Sequence, residues 1–495
     1  MSRRVYLTDE HQKRLPTVRL HKVVLRNFKS VEYGEIVFDC AKHFIQRGTK
    51  SDILGLYGQN GSGKTSFIEA LAILRLIMAG NAIDPIYADC IAKGSTCSEL
   101  EFTFDLQYRN TPISKRKVVY TFLLKVEQLD EVNPLYRGVL QESDEVIDDD
   151  EPFDPDTLKR RVIVYNERLS IGGDIDGEKK KLQLVLDTST SNGVFGPASK
   201  RKLFCDAEKN TMNMLEVKKL LASEKSKSFI FCDDTLEIFA QQESYTPYLE
   251  VIFELGLFAS NYFAVVETKS IAMSQLNIAM PLCLNTPSGI LLIKTFEPDK
   301  YTIKAYESIK KILSTMSIVL CQLIPNMRID LKEISDVLLP NGKDGKFAEI
   351  VIFRDGVELP IRCISDGAKK LVSILWLLIA AYNRESVTVA IDELDSGIFE
   401  YLLGELLQIF EESGKGQLIF TSHNLRPLEV IDKKYICFTT TNPQNRYMRL
   451  KNVGASNNLR NLYFREILMG EQDEEIYKAT KKQKIVAAFR KAAEE

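Results

Sequence analysis

Three stretches of the sequence carry residue types that can bind and cleave phosphates. The first is GQNGSGKTS, residues 58–66, which satisfies G-x-x-x-x-G-K-[ST]. Backbone N–H groups of such a loop wrap phosphate oxygens, and the following helix N-terminus faces the negative charge. Lys64 is placed to reach the outer phosphates and Thr65 to ligate Mg²⁺. The predicted nucleotide-contacting residues of this loop are Gly58, Asn60, Gly61, Ser62, Gly63, Lys64, Thr65 and Ser66.

The second stretch is VTVAIDELD, residues 387–395, in which an apolar strand ends in two carboxylates. Ligands of open α/β sheets bind at the C-terminal edge of the strands. There, Asp392 is predicted to hold Mg²⁺ through its hydration shell, and Glu393 to orient and deprotonate the attacking water. A capping or surface role is the alternative for an isolated Asp-Glu pair, but the phosphate loop in the same chain favours catalysis.

The third stretch is QLIFTSHN, residues 417–424, which repeats this geometry on another strand. It places His423 at the sheet edge as a potential hydrogen-bond donor to the terminal phosphate. A helix-capping or core histidine is the alternative.

A fourth segment, ISDGAKK at residues 364–370, opens a long apolar helix with a Ser-Asp-Gly turn. Such a turn makes a second anion-binding helix N-terminus in the same chain. We do not expect one nucleotide to reach both helix ends within one subunit.

The elements that must position these motifs alternate between strand and helix. ILGLYG precedes the phosphate loop, and apolar residues recur at helical spacing from Thr65 to Gly80. After residue 366, helix, strand VTVAI, helix, strand QLIFT, short helix and strand KYICFT follow one another. This order predicts a parallel sheet covered by helices.

The remaining segments predict additions to that sheet. Residues 18–38 predict an antiparallel hairpin, and short strand-like runs from 100 to 186 predict an antiparallel subdomain. The acidic stretch at about 141–156 is predicted to be a solvated loop, with partner docking as the alternative. The predicted domains are an N-terminal extension (1–17), the first half of the head (18–196), a helical insert (197–300), the second half of the head (301–455) and a helical tail (456–495).

Composition narrows the class of protein. The chain has 495 residues, 45% of them hydrophobic, and a net charge of −3, so the overall balance does not indicate a polyanion partner. Nine scattered cysteines with no C-x-x-C pair indicate reduced thiols in a cytoplasmic protein. The most apolar window, LVSILWLLIAA, is shorter than the roughly 18 residues of a membrane span, so we expect no membrane association.

Together, GQNGSGKT, ISDGAKK, VTVAIDELD and FTSHN resemble the Walker A, signature, Walker B with D-loop, and H-loop motifs of ABC-type ATPases, particularly the SMC-like and OLD-like branch. The resemblance covers roughly residues 18–110 and 325–450. It implies an α/β ATPase head with mixed and parallel sheets, an antiparallel β subdomain and a helical insert. It also implies ATP and Mg²⁺ as cofactors.

The resemblance further implies that two heads pack head to tail, as a homodimer or within a higher homo-oligomer. Ser365 and Gly367 of one subunit would then contact ATP held by the other, and Asp395 would lie in the dimer contact. Lys29 resembles a basic residue near the nucleotide, with a solvated hairpin lysine as the alternative. The signature departs from the transporter type, and Gln107 is the candidate for the Q-loop glutamine.

The spacing of the motifs excludes several relatives. Lys64 and Ser365 lie too far apart for a transporter cassette, the interval lacks the sustained heptads of a long coiled coil, and no TOPRIM or HNH constellation follows His423. What remains resembles the stand-alone ATPases of bacterial antiphage systems, namely Septu, PARIS and retron-associated cassettes. These imply a sensor, scaffold or gate for a separately encoded effector, such as a nuclease, with nucleic acid as a possible partner. The alternatives are a DNA-repair or DNA-end-binding ATPase and a nucleotide-locked scaffold with little turnover.

Overall fold

The computed structural model describes the chain in sixteen ranges. They are residues 15–38, 52–108, 114–131, 133, 159–175, 177–190, 193–206, 208–241, 246–268, 282–286, 289–293, 297–340, 342–450, 458–469, 472–478 and 481–492. The predicted acidic loop at about 141–156 lies outside the described residues. Within these ranges, no helix is both long and apolar enough to cross a membrane.

The strands of the described residues are numbered in chain order. They are β1 Thr17–Phe28, β2 Val31–Val37, β3 Asp52–Tyr57, β4 Ser98–Tyr108, β5 Ser114–Gln128, β6 Arg160–Ile175, β7 Glu178–Asp187, β8 Phe263–Val266, β9 Leu282–Thr286, β10 Gly289–Ile293, β11 Asp299–Thr302, β12 Met327–Leu338, β13 Asp344–Arg354, β14 Val357–Pro360, β15 Thr388–Ile391, β16 Gln417–Thr421, β17 Ile436–Thr439 and β18 Tyr447–Met448.

The α-helices of the same ranges are numbered in the same way. They are α1 Lys64–Met78, α2 Lys209–Glu224, α3 Asp233–Phe239, α4 Pro247–Asn261, α5 Ile303–Leu323, α6 Asp366–Asn383, α7 Glu400–Ser413, α8 Pro427–Val430, α9 Leu459–Met469 and α10 Lys482–Ala492.

A central six-stranded sheet carries the chemistry-bearing motifs. Its strand order is β18-β17-β3-β16-β15-β8, and all of its pairings are parallel except that of β18 at the edge. The strands β3, β15 and β16 are buried along their whole length. Buried parallel strands are covered by helices on both faces and read as continuous apolar runs, which is why the sequence marks them clearly. The predicted parallel sheet is therefore confirmed.

The second sheet is wholly antiparallel and packs against the first. Its order is β2-β1-β4-β5-β6-β7, which confirms the predicted hairpin of β1 and β2 and the antiparallel subdomain. One continuous apolar core joins this sheet to α1, to α4 and to one face of the central sheet. The helix of the phosphate loop is thus held between the two sheets.

A third sheet lies in the second half of the chain. Strand β13 pairs with β12 on one side and with β11 and β14 on the other, all antiparallel. Helix α5 and the first turns of α6 fill the core of this lobe, while the later turns of α6 pack in the core beneath the central sheet. Helix α6 therefore connects the core of the third sheet with the core of the central sheet.

The segment expected to be a helical insert, residues 197–300, is only partly helical. It contains α2, α3 and α4, but β8 follows α4 and joins the central sheet beside β15. A four-residue run, FAVV, is too short for its periodicity to be told from the end of the preceding helix. Pairing with β15, more than a hundred residues away, decides its conformation.

Candidate nucleotide site

The phosphate loop leaves β3 and enters α1 through residues with left-handed backbone angles. Gly58, Gly61 and Gly63 have φ values of 151°, 74° and 98°. A Cβ atom at residue 58 would lie 1.8 Å from Oγ1 of Thr439, the last residue of the neighbouring strand β17. Glycine is therefore required there both by the backbone angle and by the close approach of β17.

The ammonium group of Lys64 lies inside this loop. The residue is 6% exposed, and its Nζ donates to the carbonyl oxygens of Gly58 at 2.8 Å and Gln59 at 3.1 Å. Burial lowers the pKa of Lys64, while the nearby carboxylates of Asp392 and Glu393 oppose that shift. The loop is thus closed around a buried cation whose ligands are the loop's own carbonyls.

The other loop residues divide between the cavity and the interior. Ser62 is buried, where its hydroxyl donates to the Gln59 carbonyl at 2.5 Å and pairs with the Thr439 hydroxyl. The Tyr447 hydroxyl donates to the Gly63 carbonyl at 2.8 Å from β18. Ser62 therefore braces the loop from inside, a role that its position in the motif does not reveal.

Asp392 directly follows β15 and is 1% exposed. Its Oδ1 accepts from the Thr421 hydroxyl at 2.6 Å, and its Oδ2 accepts from the Thr268 hydroxyl at 2.7 Å. The two threonines follow or end the strands on either side of β15. Because an ionised carboxylate offers about four acceptor sites, both bonds leave capacity for a further donor such as metal-bound water.

Glu393 occupies the turn after β15 with a φ of 49°, which is uncommon for a residue with a side chain. Its N–H donates to the Thr421 hydroxyl at 2.7 Å. Its carbonyl accepts from the Ser396 N–H at 2.9 Å and from the ammonium of Lys370. Both backbone groups of this strained residue are therefore held in place.

His423 follows β16, and its exposed side chain borders the cavity. The backbone N–H groups of His423 and Asn424 donate to Asp395 Oδ2 at 3.0 and 2.8 Å. Asp395, which the resemblance places in a dimer contact, thus also fixes the histidine loop within its own chain.

A cavity of about 630 Å³ brings these groups together. Its lining includes predicted residues from all three phosphate-chemistry stretches, together with Lys29, Ser30 and Thr421. The lining residues are Lys29, Ser30, Asn60, Gly61, Gly63, Lys64, Thr65, Ser66, Glu393, Thr421 and His423. Gly58, Ser62 and Asp392 lie behind this surface, where they support it.

Ser365 and Gly367 do not line the cavity. Ser365 caps α6, where its Oγ accepts from the Ala368 N–H at 3.4 Å, and it is exposed. A Cβ atom on residue 367 would lie 1.8 Å from the carbonyl oxygen of Gly397, in the turn that follows Glu393. Gly367 is therefore required for packing within its own chain, whatever else it contacts.

Of two further residues that the sequence suggested for the nucleotide site, one lines the cavity and the other does not. Lys29 lines the cavity, and its ammonium pairs with the buried carboxylate of Glu69 on α1. Gln107, the Q-loop candidate, lies in β4, where it pairs with Thr17 in the antiparallel sheet and does not line the cavity. Thr268, two residues after the end of β8, reaches the site by donating to Asp392, and no sequence signal marks it.

Family models match the part of the chain that carries the phosphate loop. One family model, described as "AAA domain, putative AbiEii toxin, Type IV TA system", matches residues 53–191, and another, described as "AAA domain", matches residues 22–74. Both matches contain residues 53–57 of β3 and the phosphate loop. No curated protein matches the chain. Residues 22–191 of the chain are therefore similar to AAA domains.

Solved structures of SMC heads and of RecF align with most of the chain at low identity. An SMC head bound to the C-winged helix domain of ScpA is 15% identical with a TM-score of 0.39, over 87% of this chain and 98% of that chain. The SMC head domain from Thermotoga maritima is 15% identical with a TM-score of 0.33, over 88% and 99%. The recombination mediator RecF with ATP is 11% identical with a TM-score of 0.35, over 88% and 100%.

These TM-scores lie below 0.5, so the superposition is loose along the whole chain. The strands and helices themselves give the predicted class of fold, α/β with mixed and antiparallel sheets and several helices.

Proposed function

We propose that the chain hydrolyses ATP at a site completed by a second copy of itself, and that it gates a separately encoded effector. The observation that carries the first part is the cavity, where the phosphate loop meets Glu393 and His423. Its volume of about 630 Å³ lies within the range of roughly 300–1,000 Å³ typical of ligand pockets.

The residues present fit a magnesium–nucleotide complex. Thr65 lines the cavity and offers a hydroxyl, and Asp392 keeps free acceptor sites behind it. Bound Mg²⁺ would neutralise charge that develops on the phosphates. Lys64 would exchange the carbonyls of Gly58 and Gln59 for phosphate oxygens, which are stronger acceptors for an ammonium group. Glu393 would orient and deprotonate the water.

The second copy is inferred from the position of α6. Its N-terminus presents Ser365 and Asp366, which are exposed and do not line the cavity of their own chain. A head-to-tail pair would bring this N-terminus against the nucleotide of the partner, as the resemblance to ABC-type ATPases implies. ATP would then stabilise the pair, and hydrolysis would release it.

The gating role rests on two apolar surfaces and on one family description. Met214, Val217 and Leu220 project from one side of α2 and are 51%, 55% and 64% exposed. Phe489 of α10 is 76% exposed. Clusters of exposed apolar side chains mark interaction surfaces. The matched description names a putative AbiEii toxin of a Type IV TA system, which supports a role alongside a second gene product.

Turnover and mass measurements test the ATPase part. The purified chain should hydrolyse ATP when Mg²⁺ is present, and Glu393→Gln should bind ATP but turn it over at least about a hundredfold more slowly. ATP with Glu393→Gln should also shift the measured mass to an even number of heads. Equal slow turnover in both forms would instead indicate a nucleotide-locked scaffold.

Co-purification with products of adjacent genes tests the gate. We expect a complex whose effector activity depends on the nucleotide state, and Leu220→Lys should weaken that complex while leaving ATP turnover intact. Direct binding of DNA ends by the chain alone, with no protein partner, would favour a repair ATPase.

A further inference from the structure

Lys370 is a buried cation next to the proposed catalytic base. It lies in the second turn of α6 and is 4% exposed, whereas its neighbour Lys369 is partly exposed and pairs with Asp366 at 3.1 Å. The Lys370 ammonium donates to the carbonyl oxygen of Glu393. No other cationic side chain of the described residues bonds to that carbonyl in the structure.

The backbone of Glu393 needs such support. Its φ of 49° costs free energy relative to the right-handed region, on the order of 1 kcal/mol. Thr421 holds its N–H from β16, while Lys370 from α6 and the Ser396 N–H within the turn both hold its carbonyl. The Glu393 backbone, from which the carboxylate side chain projects, is therefore held by side chains of two separate elements as well as by its own turn.

A second contact joins the same helix to the same turn. Gly367 and Gly397 touch through their backbones, because a Cβ atom on either would fall within 2.7 Å of the other residue. Helix α6 thus contacts residues 393–397 at both ends of the turn. A shift of α6 is transmitted to this turn, since packed backbones leave no compressible space.

The charges around Lys370 keep its ammonium in this position. Burial lowers the pKa of Lys370, but the carboxylate of Asp395, followed by those of Glu393 and Asp392, opposes that shift. Asp395 Oδ1 is buried and has no hydrogen-bond partner among the described residues. A cation in this place offsets three neighbouring carboxylates that would otherwise repel one another.

We propose that Lys370 is a positioning residue that holds the Glu393 turn in the geometry required for attack on ATP. This inference rests on the proposed function of Glu393 as the base. Lys370 touches no nucleotide-facing surface, since it does not line the cavity. Its loss should therefore impair the chemical step and leave nucleotide binding intact.

Kinetics of Lys370→Met test the proposal, because methionine keeps the apolar stem and removes the donor and the charge. We expect kcat to fall at least about tenfold while KM and the affinity for a non-hydrolysable ATP analogue stay within about threefold of wild type. Lys311→Met, which makes the same chemical change at an exposed lysine of α5, is the control and should retain turnover. Wild-type kcat in Lys370→Met would overturn the proposal.

A second variant decides the case if Lys370→Met does not fold. Lys370→Arg keeps the charge among the carboxylates but places its N–H groups differently, because the guanidinium is planar and longer. We expect a smaller fall in kcat, about threefold or more, again at unchanged KM. Wild-type kcat in folded Lys370→Arg would overturn the proposal in that case.

A double-mutant comparison separates this inference from the proposed function. If Lys370 acts through Glu393, then Lys370→Met should slow Glu393→Gln no further. An additional loss in the double variant would mean that Lys370 acts by another route. Full turnover in Glu393→Gln would refute the base itself, whereas an inactive Glu393→Gln beside a fully active Lys370→Met would refute only the role of Lys370.

Discussion

The N-termini of α1 and α6 look equivalent in the sequence but differ in the structure. The end of α1 has no side-chain cap and no acidic residue in its first turn, and it faces the cavity through Lys64 and Thr65. The end of α6 is capped by the Ser365 hydroxyl, carries Asp366 in its first turn and is exposed outside the cavity.

The two helix N-termini therefore differ in how many of their N–H groups and how much of their positive potential the chain itself already satisfies. Unsatisfied N–H groups and a positive electrostatic environment attract anions at α1. At α6, the Ser365 hydroxyl already accepts from one of these N–H groups, and the Asp366 carboxylate offsets part of the positive potential. We therefore infer that α1 holds the phosphates and that α6 contributes only when a partner's nucleotide is brought to it.

The largest expected effect is at α1. Lys64→Met removes the buried cation of the loop, so ATP turnover should fall on the order of a thousandfold, as when a main charge-stabilising donor is lost. Turnover and ATP affinity measured beside Lys311→Met, an exposed lysine of α5, check this. Near-normal ATP binding by Lys64→Met would contradict the inference that the N-terminus of α1, and not that of α6, holds the phosphates.

The next effect concerns the packing of α6. Gly367→Ala would place a methyl group 1.8 Å from the Gly397 carbonyl, and such overpacking should lower the free energy of unfolding by about 3 kcal/mol. Chemical denaturation measures it, with Lys369→Met as a control on the same turn. Unchanged stability in Gly367→Ala would show that the glycine serves only the partner's nucleotide.

A third change tests the composite site directly. Ser365→Arg places a bulky side chain at the exposed end of α6 without touching the cavity of its own chain. We expect turnover to fall at least about tenfold and the ATP-dependent increase in mass to be lost, because each closed site needs the partner's helix. If dimerisation and turnover both persist, the second copy does not complete the site.

The smallest effect is electrostatic. Asp366→Asn removes the resident charge from the first turn of α6, where a charge is worth about 0.3–1 kcal/mol. ATP-dependent pairing should tighten about threefold, and the gain should shrink at high salt. Titration of Asp336→Asn, another exposed aspartate, provides the comparison. Weaker pairing in Asp366→Asn would mean that Asp366 makes a favourable contact with the partner.

Much of the site could be predicted because its parts are local. The loop from Gly58 to Thr65 is one continuous turn, and Asp392 and His423 each follow a short apolar strand. The positions of Thr268, Thr439 and Lys370 could not be predicted, since each acts on a residue 23 or more positions away in the chain. Strand β8 could not be predicted for the same reason, because its pairing with β15 joins segments far apart in the chain.

The sequence by itself determined the phosphate loop, the strand–helix alternation and the identity of the acidic and histidine residues. These follow from backbone requirements and periodicity within short windows. Only the tertiary structure decided which side chains face the cavity and that Ser62 lies inside the loop. It also decided that α6 holds the turn of Glu393 in its own chain while its N-terminus is exposed elsewhere. Such placements depend on packing between distant segments, which no local pattern encodes.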